Sequence, residues 1–194
     1  MFRRFIRAVK NIFKPTPTPS PPQDPRLIRK IALVVGHEQK AQGARAFNGI
    51  SEYDYWSQVA EKVSSQKKNV QVFYRDGTNI SGAIDRAADW QPDLIIELHF
   101  NAFNKTAHGS EILCVESTPL MQDFLRSWCE YARLRNRGVK SITRGTAGYA
   151  SVSRMSQRGI AGFLFEGFFG DNPNDYRSKK VASDFLVMWI ENAK

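Results

Sequence analysis

The chain has 194 residues, with 28 Lys and Arg against 19 Asp and Glu, so its formal net charge is +9 with His neutral. That length suits one domain, which at this size buries about 70% of its unfolded surface and needs no disulfide or metal as a staple. Hydrophobic residues at 42% and charged residues at 24% exclude a largely disordered chain, and no apolar run reaches the roughly 18 residues that cross a bilayer. The N-terminus lacks the apolar core of a secretory signal, so a protein kept in the cytoplasm of the producing cell is expected. Cys114 and Cys129 stand outside any CxxC pattern and are expected as buried free thiols.

Charge is concentrated at the start. Residues 1–30 carry eight basic side chains and one acid, net +7, which leaves only +2 for the rest. Over residues 1–14, Phe2, Phe5, Ile6, Val9, Ile12 and Phe13 follow a helical stripe, with Arg3, Arg4, Arg7, Lys10 and Lys14 on the other side. The spacing predicts a cationic amphipathic helix. It has the pattern of an anchor for an anionic membrane or lipopolysaccharide surface, and equally that of a helix docking on protein. Residues 15–27 hold six prolines, which forbid helix and favour an extended linker.

From residue 28 to 194, apolar runs alternate with helical periodicity. IALVVG, NVQVFYR, DLIIELHF, SEILCVES and GIAGFLFEGFF read as strands. Helical stripes run through Trp56, Val59, Ala60 and Val63, through Ile80, Ile84, Ala87 and Ala88, through Leu120, Phe124, Trp128 and Tyr131, and through Val181, Phe185, Met188 and Trp189. The stretch from Arg137 to Gly159, rich in Gly and Ser, reads as loop. This alternation predicts a single α/β domain with a mostly parallel mixed sheet flanked by helices on both faces. No nucleotide-phosphate glycine motif is present.

In such sheets ligands gather beyond the carboxyl ends of the strands. His37 follows IALVVG, His99 ends LIIELH, and Glu166 interrupts GFLFEGFF. Two His and a carboxylate with one open position are what a catalytic zinc needs. Glu52 is the best-placed carboxylate, because Ser51 and Asp54 form an S-x-x-D cap that would fix its helix start. Each His also suits a structural hydrogen bond, and Glu52 also suits the helix dipole. Glu166 lies among Phe163, Leu164, Phe165, Phe168 and Phe169, where a carboxylate costs several kcal/mol unless something compensates it. Glu97 shares a strand face with His99 and is placed to orient that ring from behind.

Taken together, VVGHE, GISEYDYW, PDLIIELHFNA, HGSEIL, RGVK and GFLFEGFFGDNPND, in that order from Ile31 to Lys194, resemble the zinc-dependent N-acetylmuramoyl-L-alanine amidases of the amidase-3 family, including phage endolysins. The resemblance implies that His37, Glu52 and His99 bind zinc and that Glu166 is the catalytic base. It places Asn101 on a family asparagine, with a substrate contact as its implied role. Two departures stand out: Glu97 replaces a small residue usual two before the second His, and EQKAQGARAF replaces a Gly-rich segment.

The implied reaction is hydrolysis of the amide between N-acetylmuramic acid and L-alanine in peptidoglycan, and the implied setting is a phage-type lysis enzyme acting on the wall after release. A wall-remodelling amidase is the alternative. Arg144, Arg154 and Arg158 are candidates for meeting muropeptide carboxylates, whereas His108 is expected as a loop residue. A non-catalytic wall-binding module would lack one of the four site residues. A nucleic-acid binder would spread its basic side chains over the domain rather than the tail, so no nucleic-acid partner is expected.

Overall fold

In the computed structural model, which describes residues 28–193, the run IALVV forms β1 (Ile31–Val35), buried at every position as a strand covered on both faces must be. There follow α1 (Glu52–Gln66), β2 (Val70–Phe73), α2 (Ile80–Asp89), β3 (Leu94–Asn101), β4 (Ser110–Cys114), α3 (Pro119–Ala132), β5 (Asn136–Ser141), α4 (Tyr149–Gln157), β6 (Ala161–Phe169) and α5 (Lys179–Asn192). The expected helix over residues 1–14 and the Pro-rich linker over 15–27 lie outside the described residues. Among the described residues no helix is long and apolar enough to cross a membrane.

The six strands form one sheet in the order β2-β1-β3-β6-β4-β5. β1, β2, β3 and β6 are parallel; β4 runs antiparallel to β6, and β5 parallel to β4. The mostly parallel mixed α/β sheet expected from the sequence is therefore what forms.

Strand alternation sorts the two faces. Leu33, Leu94, Ile96, Leu98, Phe163 and Phe165 join the larger core with α1, α3 and α5. There Phe124 packs on Phe163, Phe165, Phe185 and Trp189 at centroid distances of 4.8–5.4 Å, and buried Trp128 donates its indole N–H to the Gly167 carbonyl at 2.7 Å. The opposite face is made of smaller residues: Ala32, Val34 and Ile95 meet Ala83, Ile84, Ala87 and Met155 of α2 and α4. Gly162 is part of this fit, because a Cβ there would sit 2.6 Å from the Met155 sulfur. Continuing the alternation past Ile95 and Gly162 brings Glu97, His99 and Glu166 onto this second face.

One expectation is corrected. The segment read as loop from Arg137 to Gly159 contains α4 and all but the first residue of β5. β5 is a half-exposed edge strand with Gly138 at φ +94°, so it lacks apolar alternation. α4 has nine residues, and one of its three buried positions is Ser151, which dilutes the helical stripe.

Candidate metal centre and active site

The site starts from a helix cap. Ser51 accepts a hydrogen bond from the Asp54 amide at 3.0 Å and so sets the first turn of α1, with Glu52 as its first residue. The Glu52 carboxylate is buried between two imidazoles. Its Oε2 lies 3.2 Å from His37 Nε2 and its Oε1 2.8 Å from His99 Nδ1, while Oε1 also accepts from the Phe100 amide at 3.1 Å. Burial pushes this carboxyl upward, but the hydrogen bonds to His37 and His99 outweigh it and bring it to about 2.

The structure thus gathers His37, Glu52 and His99, with one donor atom from each lying within 4.8 Å of the others. Two imidazoles and a carboxylate form the donor set of hydrolytic zinc centres, so these three residues fit such an ion. His37 is partly exposed, which leaves the centre open to a substrate. The segment after His37 packs over it: the Ala44 amide points to Glu52 Oε2 at 3.3 Å, and Gly43, at φ +75°, lies so close that a Cβ would sit 2.6 Å from His37.

His99 is held from both sides. Its Nε2 lies 2.9 Å from Glu97 Oε1, so the nitrogen facing Glu52 is the one left for a metal. Glu97 is 2% exposed. Burial alone would lower the His99 pKa, but the negative charges of Glu97 and Glu52 raise it well above the usual imidazole value.

Glu166 sits on β6 directly across from His99 on β3. Its Oε2 is buried and, among the described residues, has no hydrogen-bond partner. Burial raises this carboxyl to about 8; His99 pulls it down, and Glu52, Glu111 and Glu97 push it further up. A buried carboxyl with that affinity for a proton is suited to general acid and base work near neutral pH.

Glu111, on β4, lies across from Glu166 on its other side and was missed by sequence reasoning. It is 8% exposed and accepts from Arg137 Nε at 2.9 Å and from Lys140, with Asn101 Nδ2 at 3.3 Å from its other oxygen. Burial raises its pKa, but Lys140 and Arg137 overcome that and hold it below the usual value. An acid interrupting the apolar run SEILC is the same signal that singled out Glu97 and Glu166.

Two of the arginines considered for substrate are committed elsewhere. Arg154 grips Asp85 through Nε and Nη2 at 2.8 and 2.9 Å, and Arg158 pairs with Asp85 at 2.8 Å and with Asp89. They clamp α4 to α2. Arg144 lines a cleft of about 750 Å³ near the starts of these helices, whose walls include none of His37, Glu52, His99 and Glu166. His108 is an exposed loop residue, and both cysteines are buried and free.

The fold has counterparts among known proteins. Residues 31–184 match the family model described as N-acetylmuramoyl-L-alanine amidase. No curated protein matches the chain by sequence. Among solved structures, the catalytic domain of the CD27L endolysin targeting Clostridia difficile is similar at TM-score 0.64 and 24% identity, covering 85% of this chain and 96% of that one. An N-acetylmuramoyl-L-alanine amidase from Clostridium difficile 630 is similar at TM-score 0.66 and 17% identity, covering 84% and 95%. The catalytic domain of the amidase CwlV from Bacillus (Paenibacillus) polymyxa var. colistinus follows at 0.60 and 15%, covering 84% and 99%. With a family match over most of its length, the chain belongs to the amidase-3 family of N-acetylmuramoyl-L-alanine amidases.

Proposed function

We propose that the protein hydrolyses the amide joining N-acetylmuramic acid to L-alanine in peptidoglycan, with zinc held by His37, Glu52 and His99 and with Glu166 moving the proton. The observation that carries this reading is the position of Glu166. Its buried oxygen, without a partner among the described residues, lies one strand away from His99, beside the three gathered donors. When bound, zinc would polarise the scissile carbonyl and lower the pKa of water. Glu166 would take the proton of the attacking water and return it to the leaving amine. Glu97 holds the ring of His99, and Asn101, restrained by Glu111, offers its carboxamide to the substrate.

The similarity to an endolysin catalytic domain supports a phage-type lysis role, with the protein accumulating in the cytoplasm until the wall becomes accessible. A wall-remodelling role uses the same chemistry. The test of the reaction is digestion of purified peptidoglycan by metal-loaded and chelated protein, followed by mass spectrometry of the new ends. Free L-alanine amino termini that appear only with metal are the expected result; new reducing sugar ends would refute it. Glu166→Gln should keep its metal by elemental analysis and lose about 10²–10⁴-fold in rate.

A further inference from the structure

We infer that Arg137 and Lys140 form an anion subsite that reads a free carboxylate on the peptide side of the scissile bond, an inference that rests on the amidase reading above. The sheet order lays out a row on one face: His99 on β3, Glu166 on β6, Glu111 on β4, then Arg137 and Lys140 on β5. Glu166 must lie next to the leaving amine if it returns a proton to it. The three gathered donors lie to one side of Glu166, so the amine and the peptide it carries run over the other side, toward β4 and β5.

Distance fits this direction. Neighbouring strands are about 4.7–4.9 Å apart, so β5 lies roughly 10 Å from β6. An extended peptide advances at most about 3.3–3.6 Å per residue, which puts the second or third residue of the leaving peptide over the cations. In a stem peptide the residue after L-alanine is a glutamate linked through its γ-carboxyl, and its α-carboxylate is free within that reach.

Charge fits as well. Glu111 neutralises one of the two cations and leaves an excess of one positive charge. Arg137 binds Glu111 through Nε only; among the described residues neither of its Nη atoms has a hydrogen-bond partner, and its guanidinium lies over the Phe169 ring at 5.0 Å. The Arg137 and Lys140 side chains are 29% and 43% exposed while that of Glu111 is 10%, so the cations face solvent and their anchor does not. Arg154 and Arg158, by contrast, are each paired with acids of α2.

The test compares two soluble muropeptides that differ only in whether the second residue carries an α-carboxylate or an α-carboxamide. Metal-loaded full-length protein should favour the carboxylate. Arg137→Ala and Lys140→Ala should each raise KM for it roughly tenfold, the scale of one charge-assisted hydrogen bond, and so shrink its advantage over the carboxamide. Lys140→Arg should keep the preference. Calorimetric binding of the acidic product peptide to metal-free full-length protein should weaken in the same two variants. Cleavage of both substrates without preference, or variants that lose thermal stability yet keep the preference, would overturn the subsite and leave the cations as counter-ions of Glu111. Should wild-type protein cleave neither substrate, the amidase reading fails and the binding measurement alone decides the subsite.

Discussion

Gly36 shows how little room the centre leaves for variation. A Cβ at this position would stand 1.9 Å from His99 Nε2, far inside any non-bonded contact. Gly36→Ala must therefore turn the imidazole away from both Glu52 and Glu97. We expect the purified variant to hold much less metal than wild type by elemental analysis while its far-ultraviolet circular dichroism stays native. Glu111 supports a second expectation, on pH. Its folded pKa lies below the 4.5 of a free carboxyl, so its contribution to stability is complete above about pH 4.5 and is lost as pH falls through the folded value. Urea midpoints of wild type and Glu111→Gln should differ at pH 7 and converge in acid; a gap that persists there would contradict the pairing. At this scale the sequence was informative wherever a polar residue broke an apolar run, as at His99, Glu97 and Glu166. Glu111 broke one too, but its partners come from β5, and the antiparallel pairing that faces it toward Glu166 leaves no periodic trace.

Among the elements, α1 links stability to the site most directly, because its N-cap and its first residue serve different ends. Ser51 completes the helix start and Glu52 enters the centre. Ser51→Ala should cost about 1 kcal/mol of stability by denaturant unfolding and also weaken metal retention against a competing chelator, since the first turn carrying Glu52 loosens. Unchanged retention with lowered stability would separate the two roles. The long helices and buried strands could be read from periodicity because apolar burial decides them. β5 and α4 could not: one is an edge strand with charged residues and a left-handed glycine, the other a short helix held by ion pairs from Arg154 and Arg158 to α2. Their stabilisation comes from partners distant in sequence, which local pattern does not record.

Across the whole molecule, the two sheet faces divide the work. The larger core, rich in aromatic residues, lies under α1, α3 and α5, and the face under α2 and α4 carries a smaller core and a row of charged groups. The near-balanced charge from residue 31 onward means that the net +9 is largely a property of the N-terminal segment. Deleting residues 1–27 should leave the thermal midpoint and the hydrolysis of soluble muropeptides unchanged and abolish co-sedimentation with anionic vesicles. Equal binding of the intact protein to neutral and anionic vesicles would refute an electrostatic anchor. Strand order was the global feature beyond the reach of the sequence: the pattern predicted a mostly parallel sheet but could not state that β6 is inserted between β3 and β4.

That order leaves β5 at the rim of the sheet, paired on one side only among the described residues. An open strand edge is a template on which a second chain can polymerise, and proteins guard such edges with charged side chains, lysine above all, and with bulges. β5 carries Arg137, Gly138 and Lys140, and its register with β4 shifts between Ser110 and Ile112. Arg137 and Lys140, proposed above to meet the substrate, are also residues of the kind that guard such an edge, so selection for solubility and selection for an acidic substrate would favour the same two positions.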